Sequence, residues 1–431
     1  MKQVKIGVLG AYRGTAMINY CRQATNAKVV AICDKWKEGL EKQKAIINDD
    51  SVTYYDNFED FIKHDMDAVV LANYANEHAP FAIRAMKEGK HVFSEVLPCQ
   101  NMKEAVELIE AIEETGMIYA YGENYCYMPA PYEMRKLYRA GKLGEFEYGE
   151  GEYVHNGETI WPSIAYGDPD HWRNNMYSTF YCTHSIGPLL HITGLRPVAV
   201  YGTESTMNTR NFRVGKRSAQ FCVEMIELEN GGIIKSIHGS LYQNSVWYSV
   251  YGSKGRAESA REGTKGDGVG RVYLKVDEYD GEYANRDTES YKPQTANESA
   301  GFGHGGSDFY SMYNFVEKIL GNPEADTIDV FEALDMSMCG MFAYRSILSG
   351  KREEIPNLRL KEEREKWRTD TACTFKKAAG DMLWPTTKNG TPDIAPEIYE
   401  QQKALWQKAM NDENGYANMA FHQSGKKEEK K

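Results

Sequence analysis

The string YCTHSIGPLLHITG, residues 181–194, carries polar side chains that could move a proton. Tyr181, His184 and His191 fall on one side of a helix that is predicted to begin near Tyr181, and apolar residues cover much of the rest. An imidazole titrates near neutral pH, so a histidine suits the removal of a proton from an alcohol. The alternative is that His184 is a buried histidine with structural hydrogen bonds, but the neighbouring tyrosine favours a catalytic role.

Three further strings contain candidate ligand contacts. In GEYVHNG, Tyr153 and His155 alternate along a strand and so point to one face. They either bind a ligand or form a second acid–base pair, or they are two half-buried sheet residues. Arg173, beside Trp172 in HWR, could hold a ligand hydroxyl or pair with a structural acid. His304 in GHGGSDF lines the site, or it is an ordinary loop histidine.

The stretch VKIGVLGAYRGTAM is typical of a strand, a glycine turn and a helix that together bind a dinucleotide. Gly10 and Gly14 suit this turn, although Tyr12 stands where the second glycine of G-x-G-x-x-G is expected. Asp34 closes the next strand, at the distance expected for a carboxylate on the ribose hydroxyls. An acid there repels a 2′-phosphate and so favours NAD over NADP, a preference that the adjacent Lys35 weakens.

The elements that must position these residues change along the chain. Strands alternate with helical segments over residues 1–123, which predicts an α/β Rossmann domain with a parallel, doubly wound sheet. Residues 124–365 contain longer alternating runs and predict an α+β domain with an open, mainly antiparallel sheet for substrate binding and oligomerisation. Residues 366–431 are interpreted as a C-terminal arm that packs on the body or on another subunit.

The bulk composition excludes several classes of protein. The chain has 431 residues and a formal net charge of −11, which argues against nucleic acid or an anionic membrane as its main partner. No long apolar run or signal peptide is evident, so a cytoplasmic protein is expected. The eight cysteines are scattered singly without zinc spacing, so reduced thiols and no metal are expected.

Five strings in the first part of the chain recur together in one family: GAYRG, the CD at 33–34, ANYANEH, GKHVFSE and the GEN at 122–124. With these strings the chain resembles the Gfo/Idh/MocA oxidoreductases. The resemblance implies a Rossmann domain, an open-sheet domain with a sugar site, and NAD(P) chemistry on sugars or cyclitols. The family usually has Glu-Lys-Pro after the fifth strand. Here Glu95 is kept, but Val96 replaces the lysine that helps to remove the hydroxyl proton.

A subgroup without this lysine, the NAD-dependent glycosidases of family 109, is similar in the strings ENYCY, GEYVH, HWR, FYCTHSIGPLLHITG and GHGGSD. In those enzymes a hydride leaves C3 of the sugar, elimination and water addition follow, and the hydride returns. The resemblance places the tyrosines and histidines of the two motifs around the sugar. Without the lysine, His184 is expected to be the base, assisted by Tyr181.

Further roles follow from position within the resemblance. Glu95 is expected beside the nicotinamide as an orienting group rather than as a base, and Asn124 donates to cofactor or sugar. Asn76 and His78 stand where the family places its dinucleotide. The expected catalytic residues are His184, Tyr181 and Glu95. The expected cofactor-binding residues are Gly10, Tyr12, Arg13, Gly14, Asp34, Asn73, Asn76, His78, Glu95 and Asn124. The expected substrate-binding residues are Tyr153, His155, Trp172, Arg173 and His304.

The sequence therefore predicts an NAD-dependent enzyme that oxidises a secondary hydroxyl of the sugar of a small glycoside, at C3, and that forms a homo-oligomer. Gut-bacterial enzymes that oxidise plant C- and O-glycosides fit this pattern. One alternative is a redox-neutral glycosidase that uses the same first hydride step. Another is a sensor that binds NAD and sugar without turnover, which the presence of Glu95, Tyr181 and His184 together argues against.

Overall fold

The first part of the chain folds around a parallel sheet. The computed structural model describes residues 3–261, 270–276 and 288–411. The six strands are β1 (Val4–Leu9), β2 (Ala27–Cys33), β3 (Thr53–Tyr55), β4 (Ala68–Leu71), β5 (His91–Ser94) and β6 (Tyr119–Tyr121). They pair in parallel in the order β3-β2-β1-β4-β5-β6, which is the order of the dinucleotide-binding fold.

Helices connect these strands and cover the sheet on both sides. They are α1 (Thr15–Gln23), α2 (Lys37–Ile47), α3 (Phe58–Phe61), α4 (His78–Lys87) and α5 (Met102–Thr115). In β4, Val70 belongs to one buried cluster while Val69 and Leu71 belong to another, so both faces of the strand are covered. The predicted alternation of strands and helices is confirmed. The short edge strand β3 was not predicted.

The second part of the chain forms a mixed sheet of nine strands. They are β7 (Phe146–Val154), β8 (Pro197–Glu204), β9 (Phe221–Leu228), β10 (Ile233–Gly239), β11 (Ser245–Gly252), β12 (Gly255–Ser259), β13 (Val272–Val276), β14 (Glu289–Tyr291) and β15 (Glu353–Glu354). Their order is β14-β13-β12-β11-β7-β10-β9-β8-β15. Within this sheet, only the β7–β10 pair is parallel among the pairings of the described residues, so the prediction of a mainly antiparallel sheet is confirmed.

Ten further helices follow α5 within the described residues. They are α6 (Pro129–Arg139), α7 (Trp161–Ala165), α8 (Trp172–Asn175), α9 (Thr183–Thr193), α10 (Thr209–Val214), α11 (Ser307–Ile319), α12 (Val330–Ser349), α13 (Lys361–Trp367), α14 (Lys376–Ala379) and α15 (Pro396–Asn411). Helix α9 lies against β7, and a Cβ at Gly151 would collide with the Ser185 carbonyl. Glycine therefore allows the close approach that fixes α9 on the sheet.

The local structure of α9 fixes the place of His184. Pro188 lies inside the helix and cannot donate to the carbonyl four residues before it. The Tyr248 hydroxyl from β11 donates to that carbonyl, which belongs to His184, instead. The predicted start of the helix near Tyr181 was wrong by two residues, because the Cys182 carbonyl accepts the first helical hydrogen bond, from Ile186 at 3.1 Å.

The C-terminal part of the described chain packs along the body and ends in α15. Residues 412–431 of the predicted arm lie outside the described residues, and the domain boundaries at residues 123 and 365 remain proposals. All eight cysteines are buried free thiols. Among the described helices none is both long and apolar enough to span a bilayer, and no cluster of three His, Cys, Asp or Glu residues there could bind a metal.

Candidate functional site

A cleft of about 460 Å³ opens at the carboxyl ends of the parallel strands. Gly10, Asp34, Asn73 and Glu95, which follow β1, β2, β4 and β5, all line it. Open α/β sheets bind their ligands at this edge, near the point where the strand order reverses. The opposite wall comes from the second part of the chain and includes Tyr181.

The loop between β1 and α1 fits a dinucleotide. Gly10 has a φ of 99°, and a Cβ there would collide with the Ala72 carbonyl. A Cβ at Gly14 would collide with the Gly10 carbonyl, so the tight turn excludes side chains at both positions. Tyr12 occupies the place of the missing glycine and lines the cleft. Gly10, Tyr12 and Arg13 line the cleft just before α1, and the N-terminus of a helix favours a pyrophosphate.

Two polar groups suit the ribose half of a nucleotide. The Asp34 carboxylate accepts hydrogen bonds from the Ala11 and Trp36 amides, at 2.8 and 2.9 Å, which holds it at the cleft wall. Burial raises the pKa of Asp34. The side-chain oxygen of Asn73 is buried and has no hydrogen-bond partner among the described residues. A ribose hydroxyl can donate to Asp34 and a ligand donor to Asn73, so the residues present fit NAD.

An ion-pair network joins the phosphate loop to the predicted nicotinamide end. One Arg13 guanidinium nitrogen lies 2.7 Å from a Glu95 oxygen and 3.6 Å from an Asp308 oxygen. Burial raises the pKa of Glu95 to about 7, against the opposing effect of Arg13. Val96, where related enzymes are expected to have a lysine, lines the cleft without a charge. Arg13 is therefore the cation that contacts Glu95.

His304 and Asn124 belong to the same network and lie at its far end. The Asn124 amide donates to Asp308 at 2.8 Å, and His304 Nδ1 lies 3.1 Å from the other Asp308 oxygen. His304 has a φ of 56°, an unusual conformation for a residue other than glycine. The His304 and Arg13 cations hold the pKa of Asp308 well below its usual range, although burial opposes them.

The second cluster centres on His184. Its Nδ1 lies 2.6 Å from a Glu123 oxygen, and both side chains are buried. The Tyr125 ring packs on the imidazole at 4.2 Å between centroids. Bonding at Nδ1 leaves Nε2 as the proton-accepting atom of a neutral ring. Glu123 and Tyr125 were missed from the sequence, although Glu123 precedes Asn124 in the GEN string at the end of β6, the same sheet edge as Glu95.

Tyr181 joins the cleft to this cluster. It lines the cleft, and its ring centroid lies 5.0 Å from that of His184 and 6.3 Å from that of Tyr153. The Tyr153 ring is 4.7 Å from His184 and 6.0 Å from His155. Burial raises the pKa of Tyr181 and Tyr153, so both phenols stay protonated at neutral pH. The two predicted Tyr–His motifs are thus brought together. Tyr181 lines the cleft, whereas His184, Tyr153 and His155 lie behind it.

Trp172 and Arg173 stand on the wall beside Tyr181. The guanidinium carbon of Arg173 lies 4.2 Å from the centre of the Trp172 ring and 5.5 Å from that of Tyr181. No ion pair of Arg173 with an acid is found among the described residues. The arrangement favours the hydroxyl-binding interpretation of Arg173 over a structural salt bridge, and its role in substrate binding stays a prediction.

Asn76 and His78 are not among the residues that line the cleft. His78 is 1% exposed, and its Nδ1 donates to the Leu97 carbonyl at 2.8 Å. Burial lowers the pKa of His78 to about 4, so the ring is neutral. His78 therefore supports the loop that follows Glu95, and direct contact of either residue with a dinucleotide stays a prediction.

Glu95 should make stability depend on pH. A folded-state pKa near 7, above the ordinary 4.5, stabilises the fold below pH 4.5, and this contribution is lost as the pH rises through 7. As the pH rises from 4 to 8, we expect the unfolding free energy of the wild type to fall by roughly 3 kcal/mol more than that of Glu95→Gln. Urea unfolding of both proteins measures the difference. Glu147→Gln, a change at an exposed position on β7, should show the same pH dependence of stability as the wild type. If Glu95→Gln also shows the pH dependence of the wild type, the prediction is refuted.

Comparison with known proteins agrees with this geometry. Residues 4–123 match the model of an oxidoreductase family with an NAD-binding Rossmann fold, the Gfo/Idh/MocA family. The chain is 27% identical to a glycosyl hydrolase family 109 protein of Solibacter usitatus, over 85% of this chain and 90% of that protein. It is 32% identical to glycosyl hydrolase family 109 protein 3 of Phocaeicola vulgatus, over 50% of this chain but only 43% of that protein.

Solved structures share the fold. An aldose-aldose oxidoreductase from Caulobacter crescentus superimposes with a TM-score of 0.65 at 19% identity, covering 82% of this chain and all of that one. At this identity the likeness establishes the architecture of both sheets. Together with the glycine loop and Asp34, the matched segment identifies the first part of the chain: residues 4–123 are an NAD-binding Rossmann domain similar to that of the Gfo/Idh/MocA oxidoreductases.

Proposed function

We propose that this protein is an NAD-dependent oxidoreductase that oxidises a secondary hydroxyl, at C3, of the sugar of a glycoside and yields a 3-keto-glycoside. The observation that carries the proposal is the buried His184–Glu123 pair, which lies behind Tyr181 on the wall of the NAD cleft. A base next to a hydride acceptor is what oxidation of an alcohol requires. The names of the sugar-processing relatives and structural neighbours support a sugar as substrate.

Each residue of the site has a distinct role in the proposed reaction. Bound NAD, held by the glycine loop and Asp34, supplies the acceptor for the hydride that leaves the carbinol carbon. His184 takes the hydroxyl proton, by way of the Tyr181 phenol that faces the cleft. Glu123 stabilises the imidazolium that forms, because the pair is only 2.6 Å apart and shielded from water.

Arg13 supplies the positive charge that a lysine at position 96 would otherwise provide. Its guanidinium pairs with Glu95 at the cleft wall. A fixed cation there favours the developing negative charge on the substrate oxygen as its proton leaves. In this proposal Glu95 orients the Arg13 guanidinium, with which it pairs at 2.7 Å, instead of acting as the base.

A redox-neutral glycosidase is the second candidate function. The observation that favours it is the family 109 name of the relatives. A 3-keto group acidifies the proton at C2, and Tyr153 with His155 could act as the acid–base pair that removes it. Burial and the neighbouring His184 and Arg173 lower the pKa of His155, so its ring is neutral and able to accept a proton.

The position of oxidation can be tested by isotopic labelling. Methyl glucosides deuterated singly at C2, C3 or C4 would be mixed with the protein and NAD. We expect deuterium in the reduced cofactor from the C3-labelled compound alone, with slower turnover of that compound. Label that arrives from C2 or C4 would contradict oxidation at C3.

The protein should assemble through the open face of its second sheet. Tyr201, Met225, Ile233 and Tyr251 are each 36% to 51% exposed, and the strand register puts them on one face. A row of exposed apolar side chains of this kind marks an interface. Sedimentation should therefore show a homo-oligomer, and Met225→Glu should shift it toward monomer. A monomeric wild-type protein would refute the proposal.

A further inference from the structure

Three aromatic rings from distant parts of the chain meet at the Asp34 end of the cleft. Trp36 follows β2, Tyr166 follows α7, and Trp406 comes from the C-terminal helix α15. The centroid of the Trp406 ring lies 6.2 Å from that of Trp36 and 5.2 Å from that of Tyr166. All three are half-buried and line the cleft. We call this group the aromatic cluster.

Helix α15 is fixed to the second part of the chain on one side. The Tyr399 hydroxyl donates to the Gly215 carbonyl at 3.0 Å, and the Gln402 amide donates to the Arg213 carbonyl at 3.1 Å. A Cβ at Gly167 would collide with the backbone of α15, so the turn that carries Tyr166 packs directly on the helix. The helix therefore does not rest loosely on the surface.

The same helix reaches the Rossmann domain on its other side. Trp406 contacts Trp36, and the Lys42 ammonium donates to the Met410 carbonyl at 3.3 Å. Trp36 is itself held in place, because its ring lies on α2 at a position where a Cβ on Gly39 would collide with it. Helix α15 thus bridges the two parts of the chain across one end of the cleft.

Backbone geometry fixes the position of Tyr166. This residue ends α7 with a φ of 59°, and its amide donates to the Pro162 carbonyl at 3.0 Å. A left-handed residue of this kind commonly ends a helix. Its side chain lines the cleft wall together with Trp406 and Asp34.

We propose that α15 completes the NAD site: the aromatic cluster binds the adenine ring, and the helix lies over the adenosine half as a strap. Asp34 marks the adenosine ribose, and the adenine must continue beyond it toward Trp36 and Trp406. Bases stack on aromatic side chains, and the base–aromatic contact contributes substantially to affinity. This inference rests on NAD binding alone and does not depend on the glycoside substrate.

ADP-ribose, which lacks the nicotinamide, tests the adenosine half alone. We expect Trp406→Ala to weaken ADP-ribose binding by about tenfold or more in calorimetry, and to speed NAD release by a similar factor. Trp406→Phe should keep most of the affinity, since it keeps an aromatic face. Leu405→Ala, a change of an exposed residue that precedes Trp406 on α15 and does not line the cleft, should bind like the wild type.

The binding measurements distinguish the proposal from its alternatives. ADP-ribose affinity in Trp406→Ala equal to that in Leu405→Ala would overturn the proposal. A loss of NAD affinity without any loss of ADP-ribose affinity would overturn it too, because the effect would then lie at the nicotinamide end. If Trp406→Ala does not fold, the Phe variant decides: full affinity supports an aromatic contact, and a loss as large as tenfold contradicts it. Neither result depends on whether any glycoside is turned over.

Discussion

Replacement of His184 by alanine should lower the rate of hydride transfer by about 10³-fold while NAD still binds with wild-type affinity. General base catalysis of this kind contributes between about 10² and 10⁴ in rate. Without this imidazole, Tyr181 loses the nearest ring that can accept the hydroxyl proton, because the other adjacent imidazole, His238, lies 6.4 Å away between centroids. Because His184 does not line the NAD cleft, its loss should leave cofactor affinity unchanged.

Helix α9 offers a matched control for this experiment. His191 lies on the same helix, is equally buried, and pairs with Glu332 at 2.5 Å. His191→Gln should therefore share any structural cost of removing a buried imidazole–carboxylate pair, yet keep the rate of hydride transfer. Single-turnover reduction of NAD measures that rate. Hydride transfer at the wild-type rate by His184→Ala would refute the assignment of the base. An equally large loss of that rate in His191→Gln would also refute it.

Glu123→Gln should lower the rate of hydride transfer by about 10²-fold, again without a change in NAD affinity. The substitution keeps the shape of the side chain but removes the charge that stabilises the protonated His184 ring. An amide can also turn its NH₂ group toward Nδ1, which places the ring proton on Nε2 and blocks that atom as an acceptor. Both effects act on the proton-transfer step and not on cofactor binding.

Glu332→Gln is the corresponding control, because it makes the same chemical change in the His191 pair. Single-turnover rates and unfolding free energies would be measured for both variants. We expect both variants to be less stable than the wild type, and only Glu123→Gln to transfer hydride more slowly. Equal rates in the two variants would show that Glu123 is structural.

Much of the fold could be predicted because local patterns specify it. Runs such as AVVL in β4 are apolar throughout and bounded by turns, and both faces of that strand are buried. Strand β3 could not be predicted, because three half-exposed residues at a sheet edge leave no pattern. The parallel pairing of β10 with β7 is set by contacts between distant strands, which alternation along a single strand does not reveal.

The candidate site, too, was predictable only where its residues lie close together in the sequence. Tyr181 and His184 lie close in sequence, so one helical string was enough to pair them, even though the helix begins later than predicted. Glu123 is 61 residues from His184, and Asp308 is 184 residues from Asn124. Which carboxylate meets which partner depends on how α9 packs beside the segment that follows β6 and on how α11 packs against the Rossmann domain. No local pattern contains that information.

Oxidation of a glycoside is tested most directly by mixing the purified protein with NAD and a panel of C- and O-glucosides, and by following nicotinamide reduction and products together. We expect reduced cofactor to accumulate with a keto-glycoside that still carries its aglycone. Free sugar without net reduction of NAD would contradict it and establish the glycosidase, in which the same residues return the hydride to the sugar.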